Sequence, residues 1–233
     1  MFNPQSHRPE QSPRVLVFRQ ALAAAFKSLR QSMPAAPATL TGLLAASESG
    51  SWSRPGCREA LTEVRARLFQ IPGRDAEAQA WWEESLVGAV FAARVAKRSQ
   101  AAVSVCFAGA LFYRAGEALA LKILARVELE YRMKLDSASR RDWCATHSAE
   151  LAERLQRTWS LPGPVGMPAG DLNAASADSK AVYFGRLLAV EFLQPELCVP
   201  GALDHAAADL GFNAGLTAEV RKEDVRSLLR AIG

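Results

Sequence analysis

Histidine is scarce, cysteine is unpaired and neither sign of charge dominates, and each of these shortages removes a class of function. Three histidines occur in 233 residues, at positions 7, 147 and 205, with no H-x-x-x-H or H-E-x-x-H spacing to set two imidazoles on one helical face. A histidine-rich metal centre is not expected. The cysteines at 57, 106, 144 and 198 are dispersed and form no C-x-x-C pair, which argues against a zinc knuckle or dithiol redox chemistry. Cys106 lies in an apolar run and reads as a small core hydrophobe. No run of about 20 apolar residues is uninterrupted by charge, so no membrane span is expected. The first ten residues are polar and proline-containing and lack the apolar stretch of a secretory signal, so the expected compartment is a reducing cytoplasm.

Charge is similarly uninformative about partners. Lys and Arg number 28 against 24 Asp and Glu, a net charge of +4. The basic pairs Arg140-Arg141 and Arg221-Lys222 are followed at once by acidic residues. That pattern belongs to solvated helix faces, so a nucleic-acid partner is not expected. The Gly- and Pro-rich run 163–170 has two prolines where a phosphate cradle needs backbone donors, and no serine stands in G-x-S-x-G.

What remains is helical periodicity. After an arm at 1–13, expected to be disordered, Val15, Phe18, Leu22, Phe26 and Leu29 share one face of a first helix, which Ser12-Pro13 would open. Further helices are predicted near 39–46, 55–69, 75–98, 100–113, 116–135, 139–159, 176–193, 200–210 and 217–232. Ser139 is the expected cap of the seventh. Residues 86–93 are apolar nearly all round, as in a helix enclosed by others. No segment alternates with period two, so the expected fold is all-α, one helical domain over 14–233.

Few side chains invite chemistry. Glu83-Glu84 and Glu128/Glu130 read as polar helix faces, since adjacent residues on a helix diverge. His147 lies on an apolar stripe between Trp143 and Leu151 and reads as a packing histidine. Trp143 and Trp159 read as core. Trp81 and Trp82 cannot both face inward, so one of them is a candidate partner surface.

Three segments carry a resemblance. Trp82-Glu83-Glu84-Ser85 and the apolar helix after it resemble W-x-H-S-x-x-x-A. Phe107 to Gly116 is similar to A-G-L-L-H-x-I-G. Thr146 to Pro162 is similar to D-H-A-x-x-G-x-x-L-x-x-W-x-L-P. These are motifs of the HDOD domain, a divergent branch of the HD phosphohydrolase superfamily, and the likeness extends over about 33–233 with an HD-like core at 75–193. It implies a multi-helix bundle, here with a reduced N-terminal helical lobe.

The resemblance also implies where a metal site would have been. Glu84 stands at the first histidine position, Phe112 and Tyr113 at the His-Asp dyad, and His147 alone keeps its family identity. Phe and Tyr do not replace an imidazole and a carboxylate as hard-metal ligands. The implied protein is therefore no enzyme, with no metal and no cofactor: a regulatory module that contacts a separate signalling protein. The alternative is a sensor of a nucleotide-like ligand, with Glu84, Tyr113 and His147 converging in a vestigial pocket.

Overall fold

The computed structural model describes residues 13–50, 55–163, 175–213, 215–221 and 225. The N-terminal arm with its Ser12 cap, the run 164–174 and most of the last predicted helix lie outside them. Among the described residues every regular element is helical and there is no strand.

Helix α1 (Pro13–Gln31) buries Phe18, Leu22 and Phe26, one residue per turn of a single stripe. Helix α2 (Leu40–Ser49) closes on Gly50 at φ 72°, a left-handed terminus that glycine adopts without strain. Helix α3 (Pro55–Val64) widens into a π-helical turn at Arg65–Phe69, where the Gln70 N–H donates to the Arg65 carbonyl at 3.1 Å. Then follow α4 (Asp75–Ser99), α5 (Val103–Leu111), α6 (Ala115–Tyr131), α7 (Ser137–Trp159), α8 (Ala177–Leu193), a 3-10 turn at Pro195–Leu197, α9 (Ala202–Asp209) and α10 (Leu216–Arg221).

Several boundaries differ from the sequence reading by a few residues, α2 running on to Ser49 and α5 starting only at Val103, and two of the differences have a local cause. Helix α6 stops at Tyr131 rather than at 135, because Arg132 turns left-handed at φ 49° and the Met133 N–H reaches back to the Glu128 carbonyl at 3.1 Å. The cap of α7 is Asp136, whose carboxylate accepts the Ala138 and Ser139 amides at 2.9 Å each; Ser139 instead donates its hydroxyl to Asp136. An ionised Asp caps as well as Ser and adds a favourable charge at the positive end of the helix. Ser176, where the predicted range 176–193 begins, is the cap of α8, accepting the Ser179 amide at 3.2 Å.

Helix α4 is the axis of the fold. Residues 85–93 are all buried, and α4 packs most extensively on α8 and α5, while α6 packs on α7 and α1 crosses α6. Close approach needs small residues: a Cβ on Gly185 would lie 2.5 Å from the Ala92 nitrogen, and one on Gly116 would lie 2.1 Å from the Ser148 carbonyl oxygen. The apolar stretch Val103–Tyr131 is two helices, α5 and α6, divided by the turn at Phe112-Tyr113-Arg114, and two thirds of its most apolar window is buried among the other helices.

The proline-marked segment after α1 is held by side chains from elsewhere. Trp159 Nε1 donates to the Pro34 carbonyl at 2.7 Å, Arg67 Nη1 to Ala35 at 2.6 Å, and Arg154 Nη1 to the Arg30 carbonyl at 2.6 Å. These bonds satisfy carbonyls that no helix can satisfy.

The cysteines give an early prediction. Cys57, Cys106 and Cys144 are buried and Cys198 is half-buried. Burial and the neighbouring Asp178 push the Cys106 thiol up to about 12, and burial pushes Cys144 up to about 11. The thiolate is the reactive form, so one thiol per folded chain, Cys198, should react fast with a disulfide reagent at neutral pH. Loss of the fast phase in Cys198→Ser checks this; a fast phase that survives contradicts the burial pattern.

Candidate functional site

Glu84 closes the last polar turn of α4 before the helix enters the core. Its neighbour Trp82 points inward onto Phe69, with ring centroids 5.5 Å apart, and is 6% exposed, so Trp82 is removed from the expected partner surface. The helical period of 3.6 residues leaves Trp81 at the edge, half-buried under the Arg114 guanidinium at 5.5 Å.

Two arginines converge on Glu84. Arg114, in the α5–α6 turn, donates from Nε to Oε2 at 2.9 Å, and Arg186, on α8, donates from Nη2 to Oε1 at 3.3 Å. Arg114 also donates from Nη1 to Glu117 at 2.7 Å, and Arg186 lies over the Tyr113 ring at 3.1 Å from its centroid. The Glu84, Arg114 and Arg186 side chains are 18%, 25% and 17% exposed, shielded enough for charge-assisted bonds to matter. The Arg114 guanidinium is held above its ordinary value by Glu84 and Glu117 against the opposing effect of burial. The polar-face reading of Glu83-Glu84 therefore holds for exposed Glu83 and fails for Glu84.

Phe112 is completely buried and meets Trp159 edge-on at 5.6 Å, so one half of the dyad position has become core. The other half, Tyr113, stacks on Arg186. The structure thus gathers Glu84, Tyr113, Arg114 and Arg186. The arginines carry no motif of their own, and sequence reasoning missed both.

His147 goes elsewhere. Its ring lies 4.1 Å from Phe26 of α1 and 4.6 Å from Trp143, and among the described residues it shares no partner with Glu84 or Tyr113. Among the described residues the expected convergence of Glu84, Tyr113 and His147 is not seen: Glu84 and Tyr113 meet Arg186, while His147 meets Phe26 and Trp143. His147 and half-buried Trp143 instead line a groove of about 820 Å³ between α1 and α7. Trp143 belongs to that groove wall; Trp159, 4% exposed, is core.

Burial holds the His147 imidazole below its ordinary value of 6.5, with Arg30 acting in the same direction and Glu150 against it. A base that is harder to protonate folded than unfolded lowers stability as pH falls. Stability should therefore be full above pH 6.5 and decline from there downward. Thermal melts of wild type and His147→Gln at pH 8 and pH 5.5 check the sign: the variant should lose less between the two.

Residues 60–170 match the family model of the HDOD domain. The likeness spans a little under half of the chain. The match covers α3 from Ala60 through the whole of α7, so all four family positions lie inside it, while α1, α2, α8, α9 and α10 lie outside. No curated protein and no solved structure matches the chain. Among the described residues, no three His, Cys, Asp or Glu side chains converge as a metal would require.

Proposed function

We propose that this HDOD-like chain is a non-catalytic regulatory module of a bacterial cytoplasmic signalling system, acting by contact with a separate protein. The observation that carries the reading is the pair of arginines on Glu84. At the position assigned to the first metal-ligating histidine, the one carboxylate is occupied by two guanidiniums, which would repel a divalent cation. Beside it, buried Phe112 offers no donor atom and Tyr113 is covered by Arg186. A hydrolytic metal centre needs an open coordination position and an activated water, and among the described residues no group of three His, Cys, Asp or Glu supports either.

The test is elemental analysis of the purified chain together with a phosphodiesterase assay on cyclic dinucleotides in added manganese. Substoichiometric metal and no turnover are expected. Stoichiometric manganese, iron or nickel with hydrolysis would overturn the reading. A thermal-shift screen against nucleotides separates the sensor alternative, because a ligand at about 100 times its dissociation constant stabilises by about 2.7 kcal/mol. No such shift is expected, since Glu84 and Tyr113 are engaged by Arg186 and His147 faces another helix.

A further inference from the structure

A groove lies between α1 and α7. Its floor is apolar and aromatic: Leu22 and Phe26 are buried, and Trp143 and His147 stand half-buried opposite them. Its rim is cationic, with Arg19, Lys27, Arg30 and Arg154 against one anion, Glu150.

The cations are not equally committed. Arg30 pairs with Glu150 at 2.5 Å and Arg154 with the same oxygen at 3.4 Å, whereas Arg19 and Lys27 are exposed and have no ion-pair partner among the described residues. One carboxylate shared by two arginines leaves the groove with an excess of three positive charges, two of them free to meet an incoming group. Arg19, Ala23, Lys27 and Arg30 follow one another at helical spacing, so the basic rim runs roughly 16 Å along α1 at 1.5 Å per residue. Leu16, one turn before Arg19 and in line with Ala23 and Lys27, is 57% exposed and places an apolar group at the start of the basic rim.

We propose that this groove receives an acidic amphipathic helix of the partner protein, its apolar residues on Phe26, Trp143 and Leu16 and its carboxylates on Arg19 and Lys27. The inference rests on the protein-contact reading and specifies the partner's chemistry. The free cations, Arg19 and Lys27, are strung out along the helix axis, which suits acidic side chains repeated over about two turns better than one compact anion. The recessed aromatic floor supplies the anchor sites that a helix-in-groove contact needs.

The probe is a phage-displayed library of helical peptides about 12 residues long, selected on the full chain, with affinities of enriched peptides then measured on wild type and on Arg19→Glu/Lys27→Glu. Both residues are exposed, and the circular dichroism of the variant should match wild type. Enriched peptides should be acidic, with apolar residues at i, i+3 or i+4 and i+7, and should lose at least about tenfold in affinity on the double variant. Leu16→Ser should weaken them with no change in salt dependence. Peptides without acidic residues, or binding that changes by less than about twofold on charge reversal, overturn the groove while leaving the protein-contact reading in place. No enrichment at all, or phosphatidylserine vesicles binding through Arg19 and Lys27 where acidic peptides do not, also overturns it. Stoichiometric metal with turnover, by contrast, removes the protein-contact reading itself and is detected independently of α1.

Discussion

Gly116→Ala and Gly185→Ala should each destabilise the protein by about 3 kcal/mol or more, while Gly88→Ala should leave stability unchanged or raise it. All three glycines sit in helices, where alanine is intrinsically favoured by about 1 kcal/mol, so propensity alone predicts three stabilised variants. Space decides otherwise. On Gly88 the nearest atom to a new Cβ is the Arg186 Cγ at 3.5 Å, an ordinary contact. On Gly185 the Ala92 N, Cα and Cβ lie at 2.5, 2.6 and 2.8 Å, and on Gly116 the Ser148 carbonyl oxygen lies at 2.1 Å. These obstructions are largely backbone and cannot rotate aside, so the helices themselves must separate and lose dispersion contacts along their length. For a chain of this size about 3 kcal/mol corresponds to a melting temperature lower by roughly 9 °C. Melts within a degree of wild type would show that α4–α8 and α6–α7 contact is looser than described. Gly185→Ala carries a second consequence, since Arg186 follows it directly: displacing α8 draws that guanidinium from both Glu84 and Tyr113.

How far the sequence could be read follows the range of each interaction. The helices were legible because their signals are local: the four-residue stripe of α1 and the apolar run of α4 both act within a few residues. The α6 terminus was not, because Arg132 adopts φ 49° without being glycine or asparagine. The site was half legible. The likeness to family motifs singled out Glu84, Phe112 and Tyr113 as positions. The partners of Glu84 could not be read, because Arg114 and Arg186 lie 30 and 102 residues from it in sequence and meet it only through the packing of α4, the α5–α6 turn and α8. His147 was legible as a packing residue, but its neighbour across the groove, Phe26, belongs to a helix outside the HDOD match. The same distance in sequence hid the second charged centre, Glu128.

Glu128→Ala should destabilise the protein by about 3 kcal/mol, and Glu128→Gln by about half as much. Glu130 is exposed as a polar-face residue should be, yet Glu128 is only 6% exposed and anchors the turn between α6 and α7. Its Oε2 accepts from Arg74 Nη2 at 2.9 Å and its Oε1 from the Leu135 amide at 2.8 Å, with Arg140 Nη2 at 3.8 Å. Arg140 in turn donates to the Leu135 carbonyl at 3.0 Å. Truncation to alanine strands two cations, 20% and 18% exposed, together with a backbone donor, and their partial access to water keeps the loss nearer the lower end for a broken buried pair. Glutamine keeps an acceptor for the Leu135 amide and forfeits only the charge, which separates the two contributions. Arg74 stands immediately before α4, so the pair ties the start of the central helix to the end of α6. If the coupling is direct, Arg74→Ala in the Glu128→Ala background should add far less than it does alone. Additive losses, or an alanine variant that loses less than about 1 kcal/mol, would show that hydration already carries this carboxylate.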